Sequence, residues 1–333
     1  MSIIANDMQA FLSAEVSDDD PAANGGRPAD APMSLSAKNN AYPDVNSAQR
    51  SAGDRRWRKI FLANLNSQNL AGEAGMVIMD NPTAYGDYCY FTPATMEDYE
   101  SDLTGDEDMY GAALFAADAA EGATQISLAL EDAALADMLV VGREILLSSR
   151  NAFENTASTV GVEELHSIAA VSVSGATASV TLAAPLEHAF TVEGGARASV
   201  VYRPPDQEPT VTDWSGSGAS PVVLSNRGTI RQRWTISFTS AATYELAGDT
   251  VGGLGEFQVA ATAAPVNPAA WASGGPYLTI PADSLTGHTS GQTITFYTNP
   301  SMTPIWVNNV IPAGITEYGL TDVGIGWQVE SPA

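Results

Sequence analysis

The sequence has few of the residues from which disulfide frameworks, cysteine metal sites and nucleic-acid-binding surfaces are built. It has 333 residues and a single cysteine, Cys89, so no disulfide can form within one chain and a cysteine-based metal site is excluded. Fourteen lysines and arginines stand against 39 acidic residues, giving a formal net charge of −25. Such a surface repels nucleic-acid phosphates and anionic lipids, so we expect neither nucleic acid nor a membrane as a partner.

Long apolar runs are also missing. No stretch approaches the roughly 18 apolar residues that a membrane-spanning helix requires. The first eight residues, Met1–Met8, have neither a basic start nor an apolar centre, so the sequence predicts no secretory signal peptide. We therefore expect synthesis in the cytoplasm.

The sequence lacks the short motifs of common catalytic sites: Gly-x-Ser-x-Gly, a phosphate-binding loop and His-Glu-x-x-His are all absent. The three histidines, His166, His188 and His288, are far apart in sequence, and each is most simply a strand-end or loop residue. An alternative is that three copies of one histidine surround a metal ion on a trimer axis. The sequence predicts no enzymatic activity, no cofactor and no metal site.

Carboxylates are densest between Glu97 and Asp108. Calcium prefers closely spaced oxygen ligands, which makes this run the best candidate for a metal site. The spacing of Asp102, Asp106 and Asp108 around Gly105 does not match an EF-hand loop. The run therefore favours a solvated acidic loop that caps a helix, which the alanine-rich composition predicts over residues 104–120.

Period-two alternation is the clearest structural signal. Apolar and polar residues alternate in Ile230–Phe238, Gln292–Thr298 and Ile305–Ile311, which predicts strands with one buried face. Turn residues separate these runs at intervals typical of an all-β sandwich or barrel. The predicted core of this region contains Trp234, Ile236, Phe238, Ile294, Phe296 and Trp306.

These patterns predict a mainly β protein made of several small antiparallel β-sandwich or barrel modules, with an extended N-terminal arm and one short helical segment. Residues 1–36 are the predicted arm, whose apolar spacing is compatible with a short helix. Residues 37–120 form a first β-rich domain that ends in a helix. Residues 121–205 form an inserted small β module, and residues 206–333 a C-terminal β-sandwich.

The arm is rich in Pro, Gly and Asp, a composition that does not fold alone. We expect it to bind a neighbouring subunit in extended form. Its apolar anchors would be Ile3, Ile4, Phe11 and Leu12.

Half of the basic residues precede residue 60. Arg55 and Arg56 are predicted to contact an acidic neighbour, which a second copy of this chain would be. The alternative is that they lie on the solvated side of a strand with Trp57 inward. Loop residues Trp271 and His288 are predicted to make further contacts. An alternative is a sugar-binding platform lined by tryptophans, for which the candidates are Trp214, Trp234, Trp271, Trp306 and Trp327, although the alternating strands favour Trp234 and Trp306 as core residues.

Two stretches of the chain resemble one family of virion structural proteins from tailed bacteriophages and prophages, including Mu-like ones. The first runs from Ser36 to Phe61. The second consists of the motifs Trp234–Ser240, Pro265–Pro268, Pro276–Pro281, Thr295–Phe296 and Pro304–Val307. The arm before residue 36 and the module at 121–203 depart from the family pattern.

The resemblance implies a structural component of a virion that assembles as a homo-oligomer with other virion proteins. Within the virion it favours the tail, near the tip or baseplate, because chains of small β modules are common there. Alternatives are the head–tail neck, a capsid decoration protein, or a carbohydrate-binding or receptor-contacting module at the host surface.

Overall fold

The computed structural model describes residues 2–34, 37, 39–79, 86–149, 161–315 and 324–332. The described chain is mainly β and includes a six-stranded barrel, which confirms the predicted fold class. In chain order the strands are β1 (Met8–Glu15), β2 (Gly25–Pro28), β3 (Asp54–Asn64), β4 (Glu73–Met79), β5 (Tyr88–Pro93), β6 (Tyr110–Phe115), β7 (Gln125–Ala129), β8 (Glu144–Ser148), β9 (Glu163–Ser174), β10 (Thr177–Leu182), β11 (Arg197–Val200), β12 (Thr210–Thr212), β13 (Gln232–Phe238), β14 (Thr243–Gly248), β15 (Gly252–Gln258), β16 (Thr293–Asn299), β17 (Met302–Ile311) and β18 (Ile325–Glu330).

Helical structure is sparse in the described residues. The α-helix α1 (Ser47–Ala52) begins with a capping box, in which the Asn46 side chain accepts from the backbone N–H of Gln49 and the Gln49 side chain accepts in return. The 3-10 turns are Ala5–Asp7, Pro21–Ala23, Glu100–Asp102, Ala133–Met138 and Ala270–Ala272.

A first antiparallel sheet has the strand order β2-β1-β3-β17-β5. Strand β17 pairs with β3 over ten residues, from Met302 opposite Ala63 to Ile311 opposite Asp54. A strand from near the C-terminus therefore lies in the middle of the sheet that the N-terminal arm extends. Both faces of this sheet are covered, so β3 and β17 are buried along most of their length.

The barrel consists of β6-β7-β10-β9-β8-β11, and it closes because β11 also pairs with β6. Strand β6 links the barrel to the first sheet through β5. Alternate side chains point inward and form one apolar core with the inner face of the first sheet. A two-stranded ribbon, β4–β18, packs against this core through Val77 and Met79.

The helix predicted over residues 104–120 is wrong, because residues 110–115 form strand β6. Alanine favours helices, but Ala112 and Ala113 are buried where the barrel meets the first sheet. Small side chains fit this crowded position, so tertiary packing overrides helix propensity.

A second antiparallel sheet has the order β12-β16-β13-β14-β15 and its own core. Loop residues cover it, joined by single bridges between Val223 and Thr279 and between Ala263 and Ile280. All six predicted core residues are buried. Trp306, however, lies on β17 in the first sheet, so the predicted C-terminal sandwich is wrong for that strand.

Candidate functional site

The N-terminal arm is extended, but it packs on its own chain. Phe11 is fully buried opposite Phe61 on β3, and its ring meets the edge of the Trp271 ring at a centroid distance of 5.4 Å. The Trp271 indole donates to the backbone carbonyl of Asp30 at 2.9 Å. The expectation that Phe11 anchors a neighbouring subunit is therefore wrong, and Trp271 holds the arm in place.

The other predicted anchors differ in exposure. Ile3 and Leu12 are half-buried, while Ile4 is 55% exposed. The short helix considered near residues 1–15 is absent, because Met8–Glu15 is strand β1. Pairing with β3 gives the arm the backbone partners that its composition alone does not predict.

The basic residues of β3 do not form a solvated face. Arg55 is exposed, but Arg56 is only 3% exposed and donates to the carbonyl of Pro43. Arg58 is also buried; it donates to Ala41 and forms an ion pair with Asp18. The loop before α1 covers these guanidinium groups, so the expected contact of Arg56 with a neighbour is wrong.

Lys59 is fully buried, and its ammonium group is satisfied by three oxygens. It donates to the carbonyls of Gly26 and Asp98 at 2.8 Å and pairs with the Asp98 carboxylate. Burial lowers the pKa of Lys59, and the hydrogen bond and charge of Asp98 oppose that shift. This contact fastens β2, β3 and the loop before the 3-10 turn at residues 100–102 to one another.

The acidic run at residues 97–108 is an anchoring segment of the chain. Glu97 pairs with Arg231 at 2.9 Å, and Asp108 pairs with Arg143. Asp102 caps a 3-10 turn by accepting from the Tyr99 backbone, and Glu107 accepts from Thr104. Its carboxylates point to different partners, and the helix that the run was expected to cap is absent.

Two of the three histidines meet at one end of the barrel, which sequence reasoning missed. The two oxygens of the buried Glu164 carboxylate lie 2.8 Å from Nε2 of His166 and 2.9 Å from Nδ1 of His188. The backbone N–H groups of Glu187 and His188 donate to the same carboxylate at 3.0 and 2.6 Å. The Glu-x-His spacing on β9 indicates a shared face, but nothing in the sequence points to His188.

This carboxylate fastens the loop at 186–190 across the barrel end. Burial alone would raise the pKa of Glu164, but the hydrogen bonds from Glu187, His166 and His188 lower it below 4.5. Each carboxylate oxygen already accepts two hydrogen bonds, so the cluster is saturated. Among the described residues, no group of three or more His, Cys, Asp or Glu side chains is arranged to hold a metal ion.

The remaining predicted contact residues are partly covered. His288 stacks on Phe238 at a centroid distance of 4.4 Å and lies 3.3 Å from the Gln292 amide oxygen. Trp234 and Trp306 are buried in the two cores and cannot line a sugar platform, whereas Trp214, Trp271 and Trp327 are half-buried.

Strand β9 has an open edge. Residues 163–167 pair with β8. In residues 169–174 the register with β10 shifts at Ala169, residues 170–174 pair only with β10, and no described strand lies on their other side. This half-strand reads Ala-Ala-Val-Ser-Val-Ser, without charge, proline or glycine. Val173 is 45% exposed, and Val141 in the adjoining turn is 61% exposed. Unpaired backbone groups beside apolar side chains are what another strand binds.

Comparisons with protein-family models and with curated proteins found no match. None of the described helices is both long and apolar enough to cross a bilayer.

Proposed function

We propose that this chain is a non-enzymatic structural component of a tailed-phage virion that works by assembling into an oligomer. Its place would be the tail, near the tip or baseplate, in contact with other virion proteins. The open edge of β9 supports assembly, and the motifs of residues 36–61 and 234–307 that resemble virion proteins support the location.

The edge supports assembly because folded monomers normally protect such strands. Lysine, proline, bulges or a covering loop block most exposed edges. The register with β10 shifts once, at Ala169, but the five residues that follow, 170–174, pair regularly and carry no charge or proline. Val171 and Val173 face the same side as the buried Ala178 and Val180 of β10. A strand from a second copy would continue the barrel wall and cover both valines.

The distribution of charge also favours contact between copies through the β9 edge. Buried Arg56, Arg58 and Lys59 are used within the chain, while the formal net charge is −25. Like-charged copies repel one another, so contact between copies needs a neutral patch. The edge of β9 is such a patch.

A pair of matched variants tests the oligomer. Val173→Lys places a charge on the open edge, whereas Val192→Lys makes the same change at a 46% exposed loop residue of the barrel. We expect an oligomer of the wild-type chain by light scattering, loss of it in Val173→Lys, and no change in Val192→Lys. A monomeric wild type, or an oligomer that survives Val173→Lys, would count against assembly through this edge.

Location is tested separately by mass spectrometry of purified particles and of their separated heads and tails. The proposal requires the chain in the tail fraction. Its presence with heads would favour the alternative of a neck or capsid decoration protein, and its absence from particles would contradict a virion role.

A further inference from the structure

The backbone of β10 fixes which groups of β9 remain free at the open edge. On the β7 side, the carbonyl of Ala176 accepts from the N–H of Leu130 at 2.8 Å, and the N–H of Leu182 donates to the carbonyl of Thr124 at 2.8 Å. Backbone groups point to alternate sides along a strand, so the even-numbered residues of β10 bond toward β7. The odd-numbered residues of β10 therefore bond toward β9.

The partners of these odd-numbered residues are the even-numbered residues of β9. The register places Thr177 opposite Ser174 and continues without interruption to residue 170. Residues 170, 172 and 174 are thus bonded to β10. The N–H and C=O groups of Val171 and Val173 point the other way, where no described strand lies.

The first half of β9 agrees with this assignment. Ile168 donates to the carbonyl of Arg143 at 2.9 Å, and its own carbonyl accepts from the N–H of Gly142 at 2.8 Å, so an even-numbered residue points toward the β8 side there. The register shift at Ala169 inserts one residue and changes the outward positions from even to odd. Val171 and Val173 are therefore the residues whose backbone groups face the open edge.

Two outward residues separated by one position are complementary to themselves. In an antiparallel pair, facing residues that exchange both of their hydrogen bonds alternate with facing residues that exchange none. When Val171 lies opposite Val173 of a second copy, Val173 also lies opposite Val171 of that copy. All four free groups of each edge are then bonded, and Ser172 lies opposite its own equivalent on a two-fold axis.

We propose that two copies of this chain join antiparallel through residues 170–174 of β9, with the two-fold axis at Ser172. The inference rests on the proposed assembly through this edge and adds the partner strand and its register. The valines of the two copies cover one another, including Val173, which is 45% exposed in the single chain. The segment has no charged residue, so copies that each have a net charge of −25 bring no like charges face to face within the pair.

The β9 strand of a second copy suits this edge better than its β15, the outer strand of the second sheet. Strand β15 contains Gly252, Gly253 and Gly255, which have no side chains to cover the valines, and the charged Glu256. Pairing of β9 with β15 would also leave one edge of each kind open and continue head to tail. Pairing of β9 with itself closes the edge.

Cysteine cross-linking of the full chain tests the register. Ser172→Cys places two thiols at facing positions with Cα atoms about 4.5 Å apart, within reach of a disulfide. Ser174→Cys is the matched control on the same exposed face of β9, because its two copies lie four residues apart along the pair, about 14 Å. Under mild oxidation, Ser172→Cys should form at least about tenfold more covalent dimer than Ser174→Cys. The wild-type chain, with its buried Cys89, gives the background.

A mixture of two variants adds a second check of the same register. Residue 170 of one copy faces residue 174 of the other, so Ala170→Cys and Ser174→Cys chains should cross-link when mixed but not when each is oxidised alone. Equal cross-linking of Ser172→Cys and Ser174→Cys, or cross-linking of Ser174→Cys alone, would overturn the proposed register.

Failure of this inference and failure of the proposed assembly give different results. An oligomer that Val173→Lys abolishes but that Ser172→Cys does not trap would overturn the symmetric pair and leave assembly through the edge intact. A wild-type chain that is monomeric by light scattering, with no covalent dimer in Ser172→Cys, would contradict both. All three cysteine variants replace exposed side chains, so the comparison does not depend on a substitution in the core.

Discussion

The ammonium group of Lys59 lies 2.7 Å from Oδ1 of Asp98, and Oδ2 of the same carboxylate accepts a hydrogen bond from the Trp306 indole at 2.9 Å. One carboxylate thus joins β3, β17 and the loop that follows β5. The Lys59 ammonium also lies 5.2 Å from the centroid of the Phe61 ring and 5.7 Å from that of Trp306. This contact ties three distant parts of the sequence into the first sheet.

Asp98→Asn should destabilise the chain by about 3–5 kcal/mol, because it leaves a buried ammonium without its counter-charge. Glu97→Gln is the matched control, since Glu97 is mostly exposed and pairs with Arg231 at the surface. That variant should lose less than about 1 kcal/mol. Urea unfolding measures the free energy of unfolding of both variants. Equal losses would show that the Lys59–Asp98 pair stabilises the chain no more than the Glu97–Arg231 pair does.

Phe11→Ala should cost about 3–5 kcal/mol, because a fully buried ring is removed from between β3 and Trp271. Ile4→Ala, at a 55% exposed position of the same arm, should change the free energy of unfolding by no more than about 0.5 kcal/mol. Chemical denaturation followed by tryptophan fluorescence distinguishes them. An unchanged free energy of unfolding in Phe11→Ala would mean that the arm contributes little to the stability of its own chain.

The pH dependence of Glu164 has a definite sign. Hydrogen bonds outweigh burial and lower its folded pKa below 4.5, so its contribution to stability is present above 4.5 and is lost as the pH falls through the folded value. Glu164→Gln should therefore lower the melting temperature at pH 7, and the difference from wild type should vanish in strong acid. A difference that persists unchanged at pH 2 would show that the shift does not stabilise the fold.

Sequence patterns predicted the mainly β fold class and the buried residues of β13 and β16, because period-two alternation shows which face of a strand is buried. The sheet to which β17 belongs could not be predicted. Alternation identifies a strand but not its neighbour, and Trp306 would be buried in either sheet.

The candidate contacts were harder to predict for a similar reason. Composition marks Arg56, Arg58 and Lys59 as polar, and the average behaviour of such residues is exposure. Their burial depends on carbonyl groups of the loop at 39–46 and on Asp98, partners that only the fold brings near. Residues 169–174 are small and uncharged, which is visible in sequence, but their unpaired edge follows from β8 beginning only at Glu144, opposite Ser167.

Cys89 should resist thiol reagents in the folded chain. It is buried on β5, and burial raises the pKa of its thiol far above the usual range, so little thiolate forms at pH 8. Labelling should proceed only as the chain unfolds in urea, with Val192→Cys as an exposed control that reacts at once. Rapid labelling of wild-type Cys89 under native conditions would contradict this burial.

The second sheet should fold without the rest of the chain. The core of the second sheet lies wholly within residues 211–296, and β12, β13, β14, β15 and β16 supply all five strands. A 206–300 fragment therefore keeps a complete core and should fold as a β-rich monomer. Trp234→Ala should unfold it, since that ring is fully buried and its indole donates to Thr298 at 2.9 Å.

A 206–333 fragment should be less soluble than the 206–300 fragment, although it is longer. It carries β17 without its partners β3 and β5, so Ile305 and Val307 lose their cover and both edges of the strand are unpaired. We expect this fragment to aggregate, while 206–300 stays soluble and shows a cooperative melt by circular dichroism. A soluble, cooperatively folded 206–333 fragment, or an unfolded 206–300 fragment, would show that β17 belongs with the second sheet after all.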